Sequence, residues 1–408
     1  MKRRAYVMAA LPLLALPLLA LRGGVAADAG EQGRRVEEGQ QIFRFDTFGD
    51  EQFWTTQLRM HEAIAKVDPL TALSVGLKVD SEVLPSEVIA AIRAGSPVLK
   101  DPAVTLELLR LNAVVGVIGR VNAAGQLTSI GLTCAFCHST VDDSVVQGVG
   151  RRLDGWANTD LDVGRIATLS PSPLLDSDTR EQFLKWGPGK YDPRHHAFDG
   201  SRLIILHKES RPVVIPPIYG LRGVDFETYT ADGPISYWNA YVGVGQMGGQ
   251  GNFIDDRINL RITQSPDRVT PQLPALLDYQ LSLDTPRPPD GSFDRLAANR
   301  GQRVFRNEGR CDSCHRPPNF TDVLTGPPRS EPFLHDPSAV GADPTYALRS
   351  ATKKHRTTPL RALWQHPPYF HDGSAPDLMA VVNHYDRLFG LGLTASQKED
   401  LVEYLKSL

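Results

Sequence analysis

All four cysteines of this 408-residue chain fall in two strings of the form C-x-x-C-H, Cys134-Ala135-Phe136-Cys137-His138 and Cys311-Asp312-Ser313-Cys314-His315. Two thiols at this spacing can close thioether bonds onto the vinyl groups of one porphyrin, while the adjacent imidazole reaches the iron. A thioredoxin-like redox pair would carry the histidine only by accident, and half of a zinc site would need further cysteines to complete it. None are left. The spacing therefore points to two covalently attached c-type haems, with His138 and His315 as the iron ligands built into the motifs.

Two such groups need elements to hold them, and 408 residues with 41% hydrophobic content are enough for two globular cores. A net charge of −3 gives no case for nucleic acid or for an acidic membrane surface. Lys2-Arg3-Arg4, the apolar run from Ala5 to Leu21 and the small residues up to Ala27 form a signal-peptide pattern, with cleavage expected after Ala27. The competing reading, an uncleaved anchor, is disfavoured because the run is short for a span and Pro12 and Pro17 interrupt it, and no stable membrane insertion is expected once the signal is removed. Since haem is joined to C-x-x-C-H outside the bacterial cytoplasm, the expected location is the periplasm.

Residues 28 to 50 are polar and glycine-bearing and read as a flexible arm. Apolar spacing predicts a helix from Glu51 to Val67 and another from Asp101 to Ile118, with Pro102 at its first position. Asn122 to Gln126 reads as a turn and Leu127 to Thr133 as a short extended piece delivering the first motif. The Gly- and Asp-rich stretch from Gly148 to Gly164 invites a calcium hypothesis, but no spacing there matches a calcium cage, so calcium stays unsupported and a loop is expected. Pro286, Pro288 and Pro289 before Asp290-Gly291 mark a linker. Beyond it, Phe293, Leu296, Ala297, Val304 and Phe305 share a helical face with Gly301. At the C-terminus, Thr394 or Ser396 can cap a helix whose buried stripe is Leu401, Val402, Leu405 and Leu408. The expected fold is mainly α, with two cytochrome c-like haem lobes, long loops and an N-terminal helical extension. Its divisions are 1–27 (signal), 28–120 (extension), 121–290 (first lobe with an insertion) and 291–408 (C-terminal lobe).

The halves echo one another. Pro216-Pro217-Ile218-Tyr219-Gly220-Leu221-Arg222 leads to Asp232-Gly233, and Thr358-Pro359-Leu360-Arg361 leads to Pro368-Tyr369-Phe370-His371-Asp372-Gly373. The order of parts is that of duplicated haem lobes. In these motifs the chain resembles the bacterial di-haem cytochrome c peroxidase family and the related di-haem enzymes that mature quinone cofactors. The resemblance is strongest over 293 to 408. It implies a second ligand for the C-terminal haem on the helix after the Phe-His-Asp-Gly turn, at a position held by Met or Tyr in the family. Tyr385 occupies it, with His384 as its neighbour and rival.

For the first haem the echo points to Met247, fourteen residues after Gly233, with His61 as the rival and His195, His196 and His207 also available. Family peroxidases carry a Trp directly before the first Asp-Gly turn, where this chain has Thr230-Ala231, leaving Gln246 and Glu227 as polar groups for moving a peroxide proton. The expected function is periplasmic electron transfer with small redox proteins as donor or acceptor. The alternative is a peroxidase acting on hydrogen peroxide through one open haem with the other as relay. The resemblance also leaves a homodimer open.

Overall fold

The computed structural model describes residues 20–323 and 332–408. Residues 1–19 of the signal pattern read over 1–27 lie outside them, and residues 20–27 fall within the first helix. Among the described residues no helix is long and apolar enough to cross a membrane. The protein is 41% helical and 12% strand, and among the described residues the strands pair only as two-stranded ladders, so the expectation of a mainly helical fold holds.

The expected flexible arm is instead a long helix, α1 (Ala20–Phe45). Its glycines and polar residues argue against a helix on propensity, but tertiary packing overrides propensity where one face is buried. Ile42 and Phe43 are in the core, and Phe43 meets Tyr279 with ring centroids 5.5 Å apart. At Gly39 a Cβ would fall 2.0 Å from the carbonyl oxygen of Ala275, so only glycine permits this approach. Ion pairs from Arg35 to Asp278 (2.8 Å) and Arg44 to Asp154 (2.5 Å) fix the ends of the contact.

The helix expected over Glu51–Val67 is broken. A π-helical turn covers Gln52–Gln57, Arg59 adopts a left-handed φ of 53°, and a short helix restarts at Met60–Ile64. The helix expected to reach Ile118 stops early. It spans α2 (Pro102–Arg110), started by Asp101, whose carboxylate accepts from the Ala103 N–H. Its missing end is β1 (Val117–Val121), which pairs antiparallel with β2 (Leu127–Leu132) across the Asn122–Gln126 turn. β-Branched residues at 114, 115, 117 and 118 favour strand over helix there. The Gly/Asp-rich stretch is not wholly loop either, since Val149–Gly150 pairs with Val79–Asp80 and Arg152–Asp154 with Ser139–Val141.

Further along come α3 (Ile235–Tyr241), running into a π-helical turn Val242–Gln246, and α4 (Leu273–Ser282), against which α1 lies. One continuous core contains side chains from Ile42 to Tyr279. A second core lies within α5 (Arg295–Arg306), α6 (Leu378–Phe389) and α7 (Ala395–Lys406). Here sequence and structure agree closely. Thr394 forms a capping box with Gln397, and a Cβ on Gly301 would sit 1.9 Å from the Asp400 carbonyl oxygen where α5 crosses α7. Leu296, expected on the buried face, is 72% exposed, because the stripe that packs is Ala297, Ala298, Gly301, Val304 and Phe305.

Residues 346–375 join the two cores. Arg349 pairs with Asp192 (2.9 Å) and Arg356 with Glu227 (2.9 Å). The Val214 N–H donates to the His371 carbonyl, and the Lys190 ammonium donates to that of Asp372, both at 2.7 Å.

Candidate haem-attachment sites

β2 and Thr133 deliver the first motif onto one helical turn, Ala135–His138. Gly116 lets the chain pass over it, since a Cβ there would be 2.1 Å from the Phe136 nitrogen. The motif's carbonyls are satisfied from the following loop. Gly155 N–H donates to His138 O (2.8 Å) and Asn158 N–H to Cys137 O (2.9 Å). Within the motif, Ala135 and Phe136 are buried, so this attachment segment lies inside the first core. The second motif follows the end of α5. Arg310 takes a left-handed φ of 50°, and the His315 N–H donates to Cys311 O at 2.9 Å. Ser313 is exposed, so this segment lies at the surface.

The two histidines share one geometry. His138 Nδ1 lies 3.0 Å from the Pro216 carbonyl oxygen, and His315 Nδ1 lies 3.0 Å from that of Phe320. A carbonyl can only accept, so Nδ1 carries the proton and Nε2 presents its lone pair. Burial pushes His138 down to about 4 and lowers His315 as well, against the opposing pull of the carbonyls. Both imidazoles are therefore neutral at neutral pH, the form that binds a metal.

None of the four cysteines is in a disulfide. Burial pushes the Cys134, Cys137 and Cys311 thiols up to about 12 and raises Cys314. Reactive redox pairs work the other way, by stabilising the thiolate, so these are not activated dithiols. The donor set, two unpaired sulfurs beside one oriented, neutral imidazole, fits a c-type haem at each motif.

The residues proposed to face the motifs are placed unequally. On α6, the rings of Tyr385 and His384 meet edge to face, with centroids 5.0 Å apart. The phenol of Tyr385 is pushed up to about 12 by burial and, further, by the nearby Cys314 and Cys311. Its ring stacks on Phe389 at 5.8 Å and meets Phe370 edge-on at 5.9 Å. His384 Nε2 is engaged by the Val340 carbonyl at 3.0 Å. Met247 is buried in the first core just after the π-helical turn, with its carbonyl accepting from Trp54 Nε1 at 2.9 Å. His61 has a buried Nδ1 with no hydrogen-bond partner, as do His195 and His196.

Gln246 is held on both sides. Its Oε1 accepts from the Tyr191 hydroxyl (2.7 Å) and its Nε2 donates to His196 O (2.8 Å). Glu227, buried and raised by that burial, is committed to Arg356.

Sequence reasoning passed over Tyr191, whose phenol burial raises strongly with Tyr241 and Cys137 adding to the shift. It also passed over His335, which shares a hydrogen-bonded cluster with Asp322 (3.2 Å) and Thr357 (2.9 Å). Ligand atoms of Cys314, Asp322 and His335 lie within 4.8 Å of one another, a set that could hold a cation only while the Cys314 sulfur is not in a thioether. Neither residue sits in a recognisable motif. The only sequence signal was the crowding of Tyr191 with His195 and His196.

No family model matches the chain. It is weakly homologous to a cytochrome-c peroxidase of Denitromonas iodatirespirans, 28% identical over 152 residues, covering 29% of this chain. The match spans 41% of that protein's length, and the likeness is consistent with the di-haem cytochrome c peroxidase family. Among solved structures, the chain is similar to Kuenenia stuttgartiensis hydrazine synthase, at 22% identity and a TM-score of 0.33 over 48% of this chain and 72% of that one. It is also similar to a MauG-like protein associated with microbial copper homeostasis, at 18% identity and a TM-score of 0.34 over 53% of this chain and 85% of that one.

Proposed function

We propose that the chain is a periplasmic di-haem c-type cytochrome that transfers electrons, built on the plan of the cytochrome c peroxidases. One haem would be held in a lobe over 121–290 and the other in a lobe over 291–408. Residues 1–27 act as the export signal, and residues 28–120 are packed onto the first lobe. The observation that carries this reading is the repeated pairing of an attachment histidine with a backbone carbonyl, His138 with Pro216 and His315 with Phe320. Two motifs in different folds of the chain would not both fix the same tautomer unless Nε2 had the same task in each.

Cys134 and Cys137, and Cys311 and Cys314, would supply the thioether sulfurs, while His138 and His315 would supply an imidazole nitrogen to the iron. When bound, a haem supplies one-electron redox chemistry. The protein's part is to hold each imidazole neutral and oriented, to keep water from the first attachment segment, and to set the opposite ligand. Tyr385 would be a second donor to a haem held in the C-terminal lobe, and Met247 would be one in the first lobe, with His61 its rival; a tyrosine donor, once deprotonated on binding, would favour the ferric state. The surface position of Ser313 gives small redox proteins their approach to the second lobe, whereas the first motif is enclosed.

The second reading, a peroxidase with one open haem, is favoured by the Tyr191–Gln246 pair in the first lobe, a phenol and an amide that could hydrogen-bond a peroxide. A pyridine haemochrome assay on exported protein tests the first claim, with two haems per chain expected and one or none overturning it. Electron paramagnetic resonance separates the readings. Two low-spin, cyanide-inert signals support the electron carrier, and a high-spin signal that responds to cyanide supports the enzyme.

A further inference from the structure

Four arginines, Arg303, Arg306, Arg310 and Arg316, fall within a short stretch of chain that encloses the second motif. All four are exposed, and among the described residues none is in an ion pair, whereas Arg300 just before them is matched by Asp400 at 2.6 Å. The Arg310 guanidinium reaches only the Phe389 carbonyl (3.4 Å), and that of Arg316 only the Ser313 carbonyl (3.3 Å). The helix dipole accounts for cations at Arg303 and Arg306, in the last turn of α5. It does not account for Arg316, beyond the motif.

The Arg310 contact brings the end of α6 to the same surface, where Leu388 is 38% exposed and Phe389 is 50% exposed. Phe389 in turn stacks on Tyr385, whose phenol lies near Cys314 and Cys311. An apolar centre with an aromatic side chain and an arginine rim is the composition of a protein–protein contact. The positive charge stands out on a chain whose net charge is −3, so the complementary face is acidic. Glu308 and Asp312 lie among the arginines, a mixed pattern that suits a protein face better than a uniformly anionic lipid surface.

We propose that this surface docks a small redox protein whose own contact face is an apolar patch with an acidic rim. The proposal rests on the reading of the chain as an electron carrier and names the chemistry of its partner. Docking is read by binding alone, and the haem spectrum of the same sample tests the underlying reading, so the two failures are distinguishable.

The probe is isotope-labelled plastocyanin, an acidic copper protein, with zinc in place of copper, titrated with the haem-loaded protein and followed by nuclear magnetic resonance. At low salt its shifts should saturate and map to its acidic face, and raising the salt until the Debye length falls below about 10 Å should weaken binding about tenfold. Mitochondrial cytochrome c, a basic haem protein, should bind about tenfold more weakly than plastocyanin at low salt. Arg310→Glu combined with Arg316→Glu should weaken plastocyanin binding about tenfold, and Phe389→Ala about fivefold. Arg93→Glu, the same kind of charge change at an exposed arginine on a helix of the first core, should stay within about twofold. No plastocyanin binding, tighter binding of cytochrome c, undiminished binding by Phe389→Ala, or a double variant that behaves like Arg93→Glu would each overturn the proposal. So would sedimentation of the protein with phosphatidylglycerol vesicles in place of plastocyanin binding. The comparison of probes on the unmodified protein stands even where a variant fails to fold.

Discussion

Trp156 and Trp364 meet edge to face, with ring centroids 5.8 Å apart and planes at 80°. Trp156 follows Gly155, whose N–H is bonded to His138 O, and Trp364 follows Leu363, a member of the second core. The contact is therefore a direct aromatic link between the loop bonded to the first C-x-x-C-H motif and the second core. Neighbouring Gln365 reinforces it by donating to the Tyr219 hydroxyl at 2.7 Å. Such a pair is worth about 0.5–1.5 kcal/mol beyond its buried area. A double-mutant cycle with Trp156→Leu and Trp364→Leu should return a coupling energy in that range from denaturant unfolding. Additive single effects would remove the pair from any account of how the lobes are joined.

Tyr385 and His384 meet ring to ring at 5.0 Å, but His384 Nε2 is engaged by the Val340 carbonyl while Tyr385 lies near Cys314 and Cys311. Tyr385→Phe should therefore change the optical and paramagnetic signal of one haem while leaving the other untouched. His384→Gln should leave both signals as they are. A spectral change confined to the His384 variant would transfer the ligand role to that residue.

Part of this arrangement was legible in the sequence because it is local. The C-x-x-C-H strings, the Thr394–Gln397 cap and the glycine at 301 all announce themselves within a few residues. The helix after the Asp372-Gly373 turn, on which the resemblance puts Tyr385, is found at Leu378–Phe389. What was hidden is non-local. The glycine-studded α1 looks disordered until Gly39 meets Ala275, and Tyr191 has no evident role until Gln246 is brought to it. The shortening of α2 was a contest between two periods, settled when Val117–Val121 found a strand partner in Leu127–Leu132.

Two histidines outside the motifs make stability depend on pH. Burial lowers His196 to about 3 and His355 to about 4, the latter with His371 only 4.8 Å away. Asp343, Asp372 and the Tyr229 carbonyl also face His355 and pull the other way, without cancelling the burial effect. In the unfolded chain each histidine takes up its proton near 6.5, whereas in the fold it stays neutral to much lower pH. Stability from these groups is thus complete above pH 6.5 and is lost as pH falls toward 4, by about 1.4 kcal/mol per pH unit per histidine at most. Urea midpoints measured between pH 7.5 and 4.5 should fall across this window, and His355→Gln should flatten the fall. An unchanged slope in that variant would assign the pH dependence elsewhere.

The crossing of α5 and α7 rests on Gly301, where an added methyl would overlap the Asp400 carbonyl. Arg300 grips the Asp400 side chain at 2.6 Å, so the two helices cannot slide apart without breaking that pair. Gly301→Ala would normally favour a helix, by about 1 kcal/mol on propensity alone. Here overpacking wins, and the substitution should destabilise the C-terminal lobe by about 1–3 kcal/mol. Leu296→Ala, on the same helix but 72% exposed, should stay within about 0.5 kcal/mol of the unmodified protein. Denaturant melts of both variants decide the point, since a stabilised Gly301→Ala would mean that the helices do not approach as closely as drawn.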